Sequence, residues 1–316
     1  MSDFEEQPPQ DSDSKANSTP PPLRLWYVPM DKLQQYCGLT KVSTDPLLLS
    51  AQFDWLLEPY SRLEFSLGYN RGVWRARFCT PIGFPNFEDM SHPPSDVAPA
   101  NRLNEKGEPI LYCSLNNRTA LQEIEAKTGD YVQLVNYRVD PTLKLRCCVF
   151  GELLRVHRAG RSWVDDQLEK SLNHILNRVP PDAGTSILYL DGFMSEILHD
   201  PDAAATGYLR SRILASRLFA KYPDVDAVLY PSVAVEGGKN LAIRPSAAQK
   251  VLTVASSAVL RIVKSYEYGL FDFEVAWYDF PPWIGTAFHW KRPPASSKWE
   301  PEKFLAMETE LRAKQR

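Results

Sequence analysis

Arg102, Tyr112 and Glu123 place a cation, a phenol and a carboxylate at three successive joints of one stretch, residues 101–123 (NRLNEKGEPILYCSLNNRTALQE). An arginine presents a planar fork of donors that suits a pyrophosphate, and Arg75 and Arg77 upstream could join Arg102 in that task. Tyr112 offers an aromatic face on which a cationic ring can rest. Glu123 offers a fixed negative charge, which near a sugar favours an oxocarbenium-like transition state. Ser232, after a proline, and Asn240 add small neutral donors and acceptors for ribose or amide groups. Each residue also has an ordinary reading. Arg75 and Arg77 on the outer face of a strand would be solvated charges, and Glu123 in a first helical turn would complement the helix dipole. Tyr112 would be a core residue with its hydroxyl at the rim, Ser232 a turn residue, and Gly237-Gly238-Lys239-Asn240 a hairpin turn.

The elements that must hold these groups can be read from local pattern. Asn104-Glu105-Lys106-Gly107 is turn chemistry, residues 110–113 are an apolar run of strand length, and Asn116-Asn117 can cap a helix bearing Thr119, Ala120 and Glu123. Residues 73–78 alternate Trp74, Ala76 and Phe78 against Val73, Arg75 and Arg77, as a half-buried strand does. Residues 79–100, rich in Pro, Phe and Asp, read as a long loop of the kind that is functional or mobile. Strands are expected at 131–139 and 148–156, with Asp140-Pro141 as a turn between them. The pattern of 162–222 is helical, with Ser162 as a cap and Pro180-Pro181 as a stop. Short strands follow at 227–230, 241–243, 251–254, 260–266 and 274–278. Trp26 to Leu67 reads as a helical lead-in, and Pro301 opens a final helix with Phe304, Met307 and Leu311 on one face.

Three blocks, in order, resemble the RES family. Trp74-Arg75-Ala76-Arg77 is similar to its opening strand with an active-site Arg. Arg102, Gly107-Glu108-Pro109, Leu111-Tyr112 and Thr119-Ala120-Leu121-Gln122-Glu123 are similar to its central pattern. Residues 226–233 (DAVLYPSV) with Gly237-Gly238-Lys239-Asn240 are similar to its later Tyr-Pro-Ser and Asn elements. The resemblance spans roughly residues 65–270. It implies an α+β fold with mixed, strongly bent sheets and flanking helices, akin to ADP-ribosyltransferases. It also implies cleavage of NAD at the nicotinamide–ribose bond, with phosphate or water as acceptor. On that reading Glu123, Arg75 and Tyr112 are catalytic, while Arg102, Arg77, Ser232 and Asn240 bind NAD. Some members are thought to transfer ADP-ribose to a protein, and bacterial members commonly act as toxins neutralised by an antitoxin. The chain departs from the pattern at Asn101, where Gly is frequent, in the length between Arg77 and Arg102, and in a helical insertion at about 162–222.

The remaining composition bounds the alternatives. With 36 basic and 39 acidic residues the net charge is −3, so a nucleic-acid partner is not expected. No apolar run has membrane-spanning length. Five cysteines without a Cys-Xaa-Xaa-Cys and five scattered histidines give no reason to expect a metal. The first residues, MSDFEEQPPQDSDSK, lack the basic and apolar regions of a secretory signal, so the expected location is cytoplasmic. Residues 1–22 are expected to be a disordered acidic tail, followed by the lead-in at 23–64, the RES-like unit at 65–278, and a loop and helix at 279–316. The inserted helices could supply a homo-oligomer surface. Beside NAD cleavage stand two other readings, a protein mono-ADP-ribosyltransferase and a non-catalytic module that keeps the fold.

Overall fold

The computed structural model describes residues 28–60 and 63–293. Two helices lead, α1 (Met30–Val42) and α2 (Pro46–Leu57). Asp45 starts α2 by accepting the backbone N–H groups of Leu47 and Leu48 at 2.8 and 3.3 Å, and Pro46 occupies the first helical position, where a missing N–H costs nothing. The buried side of α2 (Leu49, Phe53, Leu56, Leu57) packs in one apolar cluster with Ile213, Leu214 and Leu218 of α7 (Leu209–Lys221).

Nine strands form one open mixed sheet in the order β1-β5-β6-β7-β3-β2-β4-β8-β9. They are β1 (Glu64–Leu67), β2 (Gly72–Phe78), β3 (Leu111–Ser114), β4 (Tyr131–Val139), β5 (Leu145–Val149), β6 (Ala227–Pro231), β7 (Lys239–Ile243), β8 (Leu252–Ser265) and β9 (Phe271–Asp279). Only β5 and β6 run parallel among the named pairs. The expected α+β class with a mixed sheet is what the chain adopts. One seam is weak. β2 is joined to β4 from Gly72↔Arg138 through Phe78↔Val132, yet to β3 at the single pair Trp74↔Ser114. Beyond that pair the two strands part, and the sheet is two half-sheets meeting at one point.

Helices cover both faces. α4 (Glu152–Ala159), α5 (Asp166–Leu176) and α8 (Pro245–Val251) bury Leu153, Val156, Leu168, Leu172, Ala247 and Val251 against Leu229, Leu241, Cys113 and Val73. On the other face α6 (Pro181–Leu198), with α1, α2 and α7, covers Val228, Tyr230 and Ala242. On that same face α3 (Asn117–Glu123) sits over Trp74 and Ala76 beside the weak seam.

Several expected elements shift. Residues 148–156 are the end of β5 and then α4, because Gly151 turns the chain at φ 80°. Asp165, not Ser162, caps α5, and Pro181 opens α6 instead of stopping a helix. The strand expected at 251–254 and the one at 260–266 are one long strand, β8, preceded by the unexpected α8. Residues 64–67, read with the helical lead-in, form β1. The expected acidic tail and final helix fall outside the described residues.

Candidate active site

Glu123 is the last residue of α3 and is exposed, but one of its carboxylate oxygens is fixed. Its Oε1 accepts the Ser232 hydroxyl at 2.5 Å and the Asn240 amide Nδ2 at 2.6 Å. Both donors are themselves oriented. Ser232 Oγ accepts the backbone N–H of Val235 at 3.0 Å, so its proton points to Glu123. Asn240 Oδ1 accepts the Ser114 hydroxyl at 2.7 Å, which sets the amide with Nδ2 toward Glu123. No hydrogen bond from the described residues reaches Glu123 Oε2. A carboxylate held by one oxygen and open at the other is a preorganised charge with an unspent acceptor.

The loop that carries Ser232 is gripped from beneath. Ser232 N–H donates to Gly238 O at 2.9 Å. A Cβ on Gly238 would stand 2.8 Å from Val235 Cβ, 3.0 Å from Ser232 Cβ and 3.1 Å from Thr119 Cγ2, so only glycine lets this loop approach α3. Next to it, Lys239 Nζ lies 2.5 Å from Glu152 Oε1, with both side chains almost wholly buried. Glu152 Oε2 also accepts the Ser162 hydroxyl and the Trp163 N–H. Asp191 of α6 accepts the N–H groups of Gly151 and Leu154 at 2.9 and 3.0 Å, and burial pushes its carboxyl up to about 6. Helix α4, itself held by Ser162, Trp163 and Asp191 of the helical insertion, thus anchors the start of β7.

Where β2 and β3 part lies a cleft of about 900 Å³, lined by Arg75, Arg77, Asn104, Tyr112, Ile124 and residues of the 79–100 loop. Arg75 reaches across the seam and donates to Tyr112 O at 3.0 Å. Its Nε is buried without a partner, and no carboxylate among the described residues pairs with it. Burial pulls its pKa down. Arg75 is half-buried, and a cation so covered without a counter-charge is costly unless an anion arrives. Arg77 is spent differently: it donates to Asp89 O and lies 4.8 Å from the Phe84 ring centre, bracing the long loop.

Tyr112 and Arg102 flank this ground. The Tyr112 hydroxyl donates to Asn104 Oδ1 at 2.7 Å and accepts the Leu103 N–H at 2.9 Å, so it locks the Arg102 loop onto β3. Burial holds that phenol well above its ordinary pKa. Arg102 Nη1 donates to Leu198 O and Asp200 O, both at 2.9 Å, at the C-terminal end of α6, and its guanidinium lies 5.4 Å from the Tyr208 ring centre. Tyr208 takes a left-handed φ of 60°, a strained choice for a tyrosine.

The structure therefore gathers Glu123, Ser232 and Asn240 into one hydrogen-bonded unit, puts Arg75, Arg77 and Tyr112 on the cleft, and ties Arg102 to α6. Ser232 and Asn240 spend the hydrogen bonds shown here on Glu123 and its surroundings. Sequence reasoning missed His199, whose Nε2–H donates to Ser232 O at 2.9 Å, and Tyr208. Tyr230 stood in the Tyr-Pro-Ser element without an assigned role. His199 and Tyr208 lie in the helical insertion and left no motif. A family model described as RES domain matches residues 73–265. No curated protein and no solved structure matches the chain.

Proposed function

Because the chain belongs to the RES domain family, we propose that it cleaves NAD at the nicotinamide–ribose bond. The observation that carries this reading is the Glu123 unit, an exposed carboxylate fixed through one oxygen by Ser232 and Asn240 and open at the other. In the proposed reaction the open oxygen accepts the proton of a ribose hydroxyl next to the breaking bond. As nicotinamide departs, positive charge grows on the sugar, and the carboxylate stabilises it more than it stabilised bound NAD. One such preorganised charge is worth on the order of 10²–10³ in rate. Arg75, a half-buried cation lacking a carboxylate partner at the cleft, supplies the complement for the pyrophosphate. Arg102, held by the end of α6, adds positive potential beside Tyr112 rather than a free fork.

The acceptor is phosphate or water on this reading. Transfer to a protein side chain is the second reading, and the 79–100 loop favours it by forming an exposed wall of the cleft. Proton NMR of NAD incubated with the protein, with and without phosphate, separates them. Nicotinamide with free ADP-ribose indicates hydrolysis, and a phosphate-dependent product indicates phosphorolysis. Nicotinamide release that needs an added protein indicates transfer. Intact NAD under all three conditions would reject the proposal.

A further inference from the structure

Tyr230 lies on β6 in register with Asn240, which in turn pairs with Ser114. The three side chains therefore stand side by side on one face of the sheet, the face on which Asn240 holds Glu123. Tyr230 is only 4% exposed. Its ring packs in the apolar cluster with Phe193, Leu198 and Tyr112, yet its hydroxyl makes no hydrogen bond with any described residue and is not among the wholly buried polar atoms. A phenol whose ring is buried while its hydroxyl stays within reach of solvent can take a partner from outside the protein. Nothing in the Glu123 unit, the Arg75 seam or the Arg102 anchor uses it.

The neighbourhood defines what the missing partner is. Burial first, then Tyr112 and Glu123, push the Tyr230 hydroxyl well above the usual tyrosine range, so it stays a neutral donor. Glu123 beside it is acceptor-only, with Oε2 open. A donor next to an acceptor-only group matches a ligand group that both donates and accepts at one atom, which is an alcohol. We propose that the Tyr230 hydroxyl contacts substrate, donating to the oxygen of the ribose 2′-hydroxyl whose proton Glu123 accepts. The two contacts reinforce each other, because a hydroxyl that gives its proton to a carboxylate becomes a better acceptor. This inference rests on the NAD reading and adds to it a residue that fixes the sugar beside the breaking bond.

The test pairs a variant with a substrate lacking the atom. Tyr230→Phe keeps the ring and removes a hydroxyl that has no partner in the free protein, so its thermal midpoint should match wild type. Nicotinamide release is measured for both proteins with NAD and with the analogue whose nicotinamide ribose lacks the 2′-hydroxyl. Loss of one hydrogen bond should lower kcat/KM for NAD about tenfold in the Phe variant. With the deoxy analogue the two proteins should agree within about twofold, since the removed contact is already absent. An equal loss on both substrates would make Tyr230 a packing residue and overturn the inference. Unchanged NAD turnover in the variant would do the same while leaving the proposed function standing. Failure of the wild-type protein to release nicotinamide would remove both.

Discussion

Arg75 has its guanidinium across the β2–β3 seam with Nε unpartnered. Substitution by Met keeps most of the volume and deletes an uncompensated, half-buried charge, at the loss of one bond to Tyr112 O. Arg75→Met should therefore leave the thermal midpoint of the free protein unchanged or higher, while NAD affinity falls tenfold or more, on the order of one charge-assisted contact. Calorimetry and an NAD titration on the same preparation check both halves. A lower midpoint with unaltered affinity would return Arg75 to a structural role. At this scale the sequence made the residue types and their order plain, since Arg75, Arg102, Tyr112, Glu123, Ser232 and Asn240 could all be named. What it could not show is who bonds whom. Ser232 and Asn240, expected to touch ligand, serve Glu123, and Arg77, expected on the pyrophosphate, braces Asp89 and Phe84. Those assignments depend on side-chain directions across strands far apart in the chain.

Helix α4 acts on the site through β7. Lys239→Met would leave Glu152 charged and buried, so the protein should lose about 3–5 kcal/mol, and Lys239→Met with Glu152→Gln should recover more than half. Urea unfolding of the two variants measures this, and equal losses would show that the pair is not coupled. Asp191 makes a second prediction. Its carboxyl is raised to about 6 by burial, so the folded chain binds that proton more tightly than the unfolded chain does. Its contribution is then fully present below about pH 4 and is lost as pH rises through 6, a change of roughly 2–3 kcal/mol by pH 7. Unfolding free energies of wild type and Asp191→Asn across that range should converge or cross accordingly; a constant difference would place the Asp191 pKa near normal. The elements misread from sequence have physical reasons. An apolar run such as residues 148–156 fits strand or short helix equally, and only the left-handed Gly151 divides it. Ser256 and Ser257 lie between the two strands expected at 251–254 and 260–266, but both are fully buried within β8, and Ser257 Oγ accepts Gln133 Nε2. Pro245 at the first position of α8 was an available start signal.

At the scale of the whole molecule, the fold is a sheet whose two halves meet at Trp74 and Ser114, with chemistry-bearing groups on both sides of that point. Helices α4 to α7 back one half-sheet and hold Ser232, Asn240 and Arg102 through Lys239, His199 and the end of α6. The long loop after β2 walls the other half. The α+β class followed from the RES resemblance, whereas the nine-strand order could not be read, because β1, β5 and β6 assemble from distant segments. The sharpest measurement compares initial rates of nicotinamide release by wild type and Glu123→Gln, with NAD affinity and thermal midpoint recorded for each. Gln keeps the side-chain volume and removes the charge that, in the proposed reaction, the sugar needs as nicotinamide departs. The account predicts release by wild type, a kcat lower by on the order of 10²-fold or more in the variant, and nearly unchanged affinity and midpoint. A folded Gln variant that releases nicotinamide at the wild-type rate, or a wild type that never releases it, would contradict the account.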